Sequence, residues 1–289
     1  MKLANNTLKS ICHYFKKELE NIYDESELNQ ILQISFQHFF GWSRTELVFN
    51  QDDLISEENV EKIIELVTVL KTNKPLAQII GEWEFYGLKF KVNEHTLIPR
   101  PETEELVHLI INENASKSGL DILDIGTGTG CIPITLKKEL KESCVRAFDV
   151  SEEALKIAKN NSELNKLEVQ FQQIDILHFE DSFLKQKYDV IVSNPPYIPE
   201  KEKQLMHKNV LDFEPDLALF VEDNDSLVFY DRISNFALTH LKVDGKLYFE
   251  INENYGEATK QLLIDKKFKN VNIVKDINEK DRIVCCTLN

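Results

Sequence analysis

Asp124-Ile125-Gly126-Thr127-Gly128-Thr129-Gly130 joins a predicted strand to a predicted helix through three glycines. The apolar run Leu120–Ile125 predicts a buried strand, and the pattern from Cys131 to Leu140 predicts a helix. Glycines permit a tight turn and a close approach of the backbone to a ligand, and the amino end of a helix favours an anionic group. The spacing G-x-G-x-G differs from the G-x-G-x-x-G of dinucleotide sites, and there is no P-loop lysine. The loop therefore predicts a ligand that is not a nucleoside triphosphate.

Strand and helix patterns continue to alternate after this loop. A second helix is predicted over Glu152–Asn160, and further strands are predicted at Val145–Asp149, Leu167–Phe171, Val190–Val192 and Lys246–Glu250. Two last strands, Val271–Val274 and Ile283–Cys286, are expected to pair antiparallel. Repeated βα units predict an α/β fold with a Rossmann-like, mostly parallel sheet.

The part of the chain before this region has a different pattern. Apolar residues recur at helical spacing in three stretches, Leu8–Ile22, Leu28–Phe40 and Val60–Leu70, which predict a small helical bundle. We expect Gly41 to end the second helix and Ser56 to cap the third. Glu84–Val92 alternates around Gly87 and predicts a β-hairpin, and Pro101 suits the first turn of the helix that follows. The predicted domains are 1–75 (helical bundle, substrate recognition), 76–100 (hairpin linker) and 101–289.

Composition restricts the kind of partner. The 289 residues carry a net charge of −15, which argues against binding to nucleic acid phosphates. The charge is compatible with a basic protein partner, or it confers solubility alone. No apolar run approaches the roughly 20 residues that span a bilayer, so a soluble, cytoplasmic protein is expected. A monomer is expected as well. The five cysteines and seven histidines form no metal or disulfide pattern, and no metal is predicted.

Three acidic residues follow predicted strands, where ligands bind in open parallel sheets. Asp149 ends the second strand, about twenty residues after the glycine loop, where a carboxylate accepts ribose hydroxyls. Asp175 is placed to accept from an adenine amino group with Ile176 on the ring, or is an ordinary loop residue. Asp124 is placed to meet an ammonium group, or it caps the helix. A ribose, an adenine and an amino acid together describe S-adenosylmethionine, bound also by Thr127 and Thr129 of the loop.

Asn194-Pro195-Pro196-Tyr197 follows the predicted strand Tyr188–Ser193. Proline cannot continue a strand, so the Asn194 side chain and the Pro195 carbonyl are left at the strand end. Several acceptors around one point suit a planar NH₂ group, and Tyr197 adds an aromatic face. The four residues are therefore candidates for substrate binding, with Asn194, Pro195 and Tyr197 catalytic and Asn194 also touching the cofactor. A proline-rich strand exit without chemistry is the alternative.

These motifs resemble those of class I S-adenosylmethionine-dependent methyltransferases that act on planar amino groups. Gly81-x-x-x-Phe85-Tyr86-Gly87, Leu97–Glu104 and Phe213-Glu214-Pro215 are similar to the HemK/PrmC family, the protein-(glutamine-N5) methyltransferases of peptide chain release factors. The similarity covers essentially the whole chain. The chain differs from the usual family pattern at Gln78, Asn252 and Tyr255, and these positions lie outside the cofactor and tetrapeptide motifs.

The resemblance implies methylation, during translation termination, of the glutamine in the Gly-Gly-Gln loop of class 1 release factors. Asn194 and Pro195 would accept the two N–H bonds of the amide, and Tyr197 would pack on the glutamine side chain. Three alternatives remain: a ribosomal-protein glutamine methyltransferase, an adenine-N6 nucleic-acid methyltransferase, and a non-catalytic nucleotide-binding module.

Overall fold

The computed structural model describes residues 5–179 and 185–288. Contacts within the chain separate two units. One unit consists of the residues up to Gly81 together with His207–Phe213, and the other holds Glu82–Met206 and the residues from Glu214 onward.

The first unit is helical. Its helices before Gly81 are α1 (Leu8–Leu19), α2 (Glu25–Phe40), α3 (Arg44–Phe49), α4 (Glu57–Leu70) and α5 (Leu76–Ile80). The three predicted helices are present, and Gly41 ends α2 in the left-handed conformation with φ 73°. Ser56 caps α4 by accepting from the Asn59 N–H. Their apolar faces meet in one core, in which the rings of Phe15 and Phe36 pack edge to face at 5.4 Å.

The predicted hairpin is formed by β1 (Glu82–Phe85) and β2 (Leu88–Lys91). Tyr86 and Gly87 make its two-residue turn with φ values of 49° and 69°. Positive φ at both central residues is the pattern of a type I′ turn, whose twist matches that of the strands. The glycine supplies one of these two positions without steric cost.

The remainder of the chain alternates strands and helices, all of them in the second unit except α9. In chain order these are α6 (Pro101–Asn114), β3 (Asp121–Ile125), α7 (Cys131–Glu139), β4 (Cys144–Asp149), α8 (Glu152–Asn165), β5 (Gln170–Gln173), β6 (Tyr188–Ser193), β7 (Ile198–Pro199), α9 (Lys208–Leu211, in the first unit), α10 (Asp216–Leu219), β8 (Phe220–Val221), α11 (Val228–His240), β9 (Leu241–Glu250), α12 (Gly256–Asp265), β10 (Lys269–Lys275) and β11 (Asp281–Thr287).

Seven of these strands form one sheet in the order β5-β4-β3-β6-β9-β11-β10. The first five run parallel, and β11 lies antiparallel between β9 and β10. Side chains of the central strands alternate between two apolar cores, with Ile122 in one and Leu123 in the other. The helices α6 and α7 contribute to the first core, and α11 and α12 to the second. The predicted mostly parallel sheet with an antiparallel C-terminal pair is confirmed.

The strand β3 has β4 on one side and β6 on the other. The chain therefore reverses its direction of progress across the sheet at β3, and the carboxyl ends of β3 and β6 border a crevice at this point. Over residues 5–179 and 185–288, no helix combines the length and the apolar character needed to cross a membrane.

Candidate active site

A cavity of about 200 Å³ lies at the carboxyl ends of the parallel strands. Its walls include the glycine loop after β3 and the ends of β4, β5 and β6. The cavity therefore occupies the position expected for a ligand in an open parallel sheet.

The glycine loop is held to the end of β4 through its backbone. The N–H groups of Gly126 and Thr127 donate to the Phe148 carbonyl at 2.9 and 3.0 Å. Gly126 and Gly128 have φ values of 77° and 53°, and a Cβ at either position would meet no protein atom within 4 Å. This open space beside the backbone suits a ligand that lies against the loop.

Gly130 has a different role. Its φ is 79°, and an added Cβ would lie 3.0 Å from Ile134 Cδ1 and 3.2 Å from Ala158 Cβ. Gly130 therefore lets α7 and α8 approach each other. It also precedes the first residue of α7 without a side-chain capping bond.

Asp149 fixes the loop from the neighbouring strand. Its Oδ2 accepts from the Gly128 N–H at 2.8 Å, and its Oδ1 accepts from the Ser151 N–H at 2.9 Å. Burial raises the pKa of this carboxyl group, and the N–H donors oppose that shift. Each carboxylate oxygen keeps a lone pair, so Asp149 can accept ligand hydroxyls as well. Its predicted contact with a ribose stays a prediction.

Asp124 is fully buried at the end of β3 and does not line the cavity among the described residues. Neither of its carboxylate oxygens has a hydrogen-bond partner in that part of the chain, and burial raises the pKa to about 7. Asp124 therefore does not cap α7. The neighbouring Thr127 hydroxyl opposes this rise in pKa, and the Asp149 carboxylate adds to it. The Thr127 hydroxyl is buried and is a potential donor to Asp124 in the described chain.

Asp175 and Ile176 both line the cavity after β5. The Asp175 carboxylate accepts from the Leu177 N–H at 2.9 Å and lies 2.8 Å from His178 Nδ1. The side chain of Ile176 is buried. These bonds begin the short 3₁₀ turn that Asp175 caps, so both roles considered from the sequence stay open.

The tetrapeptide at the end of β6 divides into two parts. Asn194, Pro195 and Pro196 line the cavity. Tyr197 is not among the described cavity-lining residues. Its ring packs against the second apolar core, to which α11 and α12 contribute. Its hydroxyl group lies 3.5 Å from Glu250 Oε1. The expectation that Tyr197 stacks on the substrate stays a prediction.

Two residues that the sequence did not single out join this site. Asn194 Nδ2 donates to Thr103 Oγ1 at 3.1 Å, and the Thr103 hydroxyl donates to Glu250 Oε2 at 2.7 Å. Both partners are buried, and burial raises the pKa of Glu250 to about 7. A signal for Glu250 was present, since it ends a strand that runs parallel to β6 and carboxyl ends of parallel strands meet at one edge. The signal for Thr103 was its place in the Arg-Pro-Glu-Thr-Glu segment.

An ion pair between the buried Glu214 and the partly exposed Arg100 supports another wall of the cavity. Glu214 accepts from the Ile98 N–H at 3.0 Å and from the Arg100 guanidinium. Charge-assisted bonds of this kind hold a loop more firmly than neutral ones. Residues Arg100 and Pro215, which line the cavity, are thereby fixed to each other. Within the described ranges, no group of three acidic, histidine or cysteine side chains could hold a metal ion.

Two protein-family models match the chain. Residues 103–212 match the methyltransferase small domain, and residues 10–81 match the PrmC N-terminal domain. Among solved structures, a methyltransferase from Pyrococcus furiosus is 19% identical, with 78% of this chain and 98% of that chain covered and a TM-score of 0.53. The catalytic domain of hMettl16 is 16% identical, with coverage of 84% and 85% and a TM-score of 0.58. At these identities the two structures establish the fold alone.

Relatives with higher identity cover nearly the full length. The release factor glutamine methyltransferase of Flavobacterium psychrophilum is 47% identical over 96% of this chain and 98% of its own. The protein of the same name from Bacteroides thetaiotaomicron is 41% identical, with coverage of 96% and 99%. The chain belongs to the family of release factor glutamine methyltransferases.

Proposed function

We propose that this chain transfers a methyl group from S-adenosylmethionine to the side-chain amide nitrogen (N5) of the glutamine in the Gly-Gly-Gln loop of class 1 release factors. The observation that carries the proposal is that the glycine loop and the Asn194-Pro195 corner line the same cavity. A donor held by the loop and an amide held at the corner would therefore be neighbours. The names and the identity of the full-length relatives supply the acceptor.

The residues of the cavity fit S-adenosylmethionine. Gly126 and Gly128 leave space beside the backbone, and Asp149 keeps acceptor capacity for two hydroxyl groups. Asp175 and Ile176, which line the cavity, are the candidates for the adenine. Asp124 is buried outside the described cavity lining and is the candidate carboxylate for the ammonium group. When bound, the donor supplies an electrophilic methyl group on a sulfonium centre.

The chain must make a poor nucleophile react. An amide nitrogen is weakly nucleophilic because its lone pair is delocalised into the carbonyl group. The Asn194 side-chain oxygen and the Pro195 carbonyl accept the two N–H bonds of the glutamine amide. Two fixed acceptors would hold the nitrogen in line with the methyl group and stabilise positive charge that develops on it. As the N–C bond forms, the methyl–sulfur bond breaks, the product S-adenosylhomocysteine leaves, and the nitrogen loses one of its two protons to give the neutral N-methyl amide.

The site acts on a protein, and the chain works as a cytoplasmic monomer that does not bind nucleic acid. The net charge of −15 supports a protein acceptor over nucleic acid, because an acidic surface repels phosphates and attracts a basic loop. Substrate recognition is assigned to the N-terminal helices, with the hairpin as linker and the cavity in the rest of the chain.

A methyl-transfer assay tests the proposal. The full chain is incubated with S-adenosylmethionine labelled in its methyl group and, in separate reactions, with a class 1 release factor, a ribosomal-protein mixture and DNA. Label is expected in the release factor alone, on the glutamine of its Gly-Gly-Gln peptide by mass spectrometry. A release factor with Gln→Ala at this position is the matched control. Label in the ribosomal protein or in DNA, with none in the release factor, overturns the assignment.

A further inference from the structure

We propose that Thr103 and Glu250 are positioning residues that orient the side-chain amide of Asn194, so that its oxygen and not its nitrogen faces the acceptor. The inference rests on the proposed function, because it concerns how the amide of the substrate is held. It assigns a role to a polar chain that links the end of β9, the first turn of α6 and the end of β6.

The orientation of the Asn194 amide follows from which of the groups on Glu250, Thr103 and Asn194 can donate a hydrogen bond and which can accept one. An ionised carboxylate accepts hydrogen bonds and donates none, so the bond between Glu250 Oε2 and Thr103 at 2.7 Å uses the only proton of the hydroxyl group. Thr103 Oγ1 can then act toward Asn194 only as an acceptor. The Asn194 NH₂ group must face Thr103, and the 3.1 Å bond from Nδ2 has this sense.

The hydrogen bond to Thr103 therefore fixes which end of the Asn194 amide is available to the substrate. With its NH₂ group bound to Thr103, Asn194 directs its oxygen away from Thr103, where it can accept from an acceptor amide. The reversed side chain would present its own NH₂ group to the NH₂ group of the substrate, and two donors cannot bond to each other. An asparagine amide has two nearly isosteric orientations, so the choice between them must come from its partners.

The remaining surroundings of Glu250 determine its charge. Burial is the largest influence and favours the protonated form, as does Glu102 of α6. The hydroxyl groups of Thr103 and Tyr197, together with Arg282 of β11, favour the ionised form. The Cys131 thiol and the Tyr230 phenol, from α7 and α11, face it as well. The balance raises the pKa of Glu250 to about 7.

Protonation of Glu250 would release the constraint. A carboxylic acid can donate to Thr103, and the freed hydroxyl proton can then be donated to the Asn194 oxygen. The acid form predominates below the pKa, so turnover should fall as the pH decreases through about 7. Above that pH Glu250 is ionised and the productive orientation is fixed.

The test compares Thr103→Val, which keeps the shape of the side chain without its hydroxyl group, with Thr103→Ser, which keeps the hydroxyl group. Release-factor methylation is followed as kcat, KM and the pH profile of kcat, with donor affinity measured separately by calorimetry. Thr103→Val should lose about tenfold or more in kcat with donor affinity retained, and Thr103→Ser should keep most of its turnover. The inflection near pH 7 should be absent from Thr103→Val.

Glu250→Gln provides the second variant, because its amide can donate to Thr103 at any pH. It should show reduced kcat with a flattened pH profile. Glu113→Gln is the matched control. Glu113, like Glu250, accepts from a tyrosine hydroxyl, in its case that of Tyr248. Its described hydrogen bonds are to Tyr248 and Lys246, and none is to Thr103 or Asn194. Wild-type kcat in Thr103→Val, or a wild-type pH profile in folded Glu250→Gln, overturns the inference. A wild-type chain without any methyl transfer to release factor instead refutes the proposed function.

Discussion

Among single residues, Asp149 both holds the glycine loop in place and is a candidate contact to the ligand. Its carboxylate holds the Gly128 N–H at 2.8 Å and is the candidate acceptor for the ribose hydroxyls. Asp149→Ala should therefore weaken donor binding by about 1–3 kcal/mol, the cost of losing hydrogen bonds to a charged group. Titration calorimetry with S-adenosylmethionine measures this loss. Unchanged affinity in a folded variant would exclude Asp149 from the binding site.

Asn194 is expected to matter for turnover more than for folding. Its side chain lines the cavity, and its one described hydrogen bond is to Thr103. Asn194→Ala removes one of the two acceptors for the substrate amide, so kcat should fall on the order of a hundredfold. Steady-state methylation gives kcat, and separate titration of the donor corrects for any contact with the cofactor. Near-normal transfer by this variant would contradict the mechanism.

Asp124 should make donor binding depend on pH. Burial raises its pKa to about 7 in the free protein, so the carboxyl group is increasingly neutral below that pH. A neutral carboxyl group attracts an ammonium weakly, and donor affinity should decline as the pH falls from about 8 to about 6. Calorimetry across this range should show a smaller decline for Asp124→Asn than for the wild type. Equal slopes for the two proteins would assign the ammonium to another group.

At the scale of elements, two glycines in the turn from β3 to α7 have different roles: Gly128 serves ligand binding and Gly130 serves helix packing. Gly128 and Gly130 both have positive φ, where an alanine costs about 1–2 kcal/mol. Gly130→Ala must also displace Ile134 or Ala158, whereas Gly128→Ala extends into open space. Gly130→Ala should therefore lower the free energy of unfolding more, and Gly128→Ala should weaken donor binding more. Urea denaturation and calorimetry of the pair measure both effects, and the reverse ranking would contradict the division.

Many long elements were predictable from the sequence because their patterns are local. The strands β3, β4 and β6 and the helices α1, α2 and α4 each carry a period that a single segment reveals. The short helices α3, α5, α9 and α10 and the strands β7 and β8 were missed, since segments of two to six residues are too short to show a period. The longer helices α11 and α12 were not predicted either. The glycine loop, Asn194 and Pro195 were placed on one cavity for the same local reason, as ends of predicted parallel strands.

Contacts between residues that are far apart in the sequence could not be predicted from local patterns. The bond from Thr103 to Glu250 joins residues 147 positions apart, and no periodicity signals it. The direction of the Tyr197 ring depends on the core under α11 and so on packing. The same limit applies to His207–Phe213, which groups with the N-terminal helices through contacts such as that of Gln78 Nε2 with the Phe213 carbonyl at 2.7 Å.

For the whole molecule, we expect the N-terminal helices to select the acceptor without taking part in donor binding. The described cavity residues begin at His95, well after Gly81. A glutamine side chain offers few contacts, so specificity for a protein must come from surface remote from the reacting amide. A chain that starts at Glu82 should therefore bind S-adenosylmethionine and methylate intact release factor poorly.

A short Gly-Gly-Gln peptide is the control acceptor, because it lacks the remote surface. The truncated chain and the full chain should methylate this peptide at similar, low rates, and only the full chain should gain from the intact release factor. Calorimetry with the donor shows whether the truncated chain is folded, since His207–Phe213 loses the helices with which it groups. Full activity on intact release factor, with donor binding retained, would assign the N-terminal helices a role other than substrate choice.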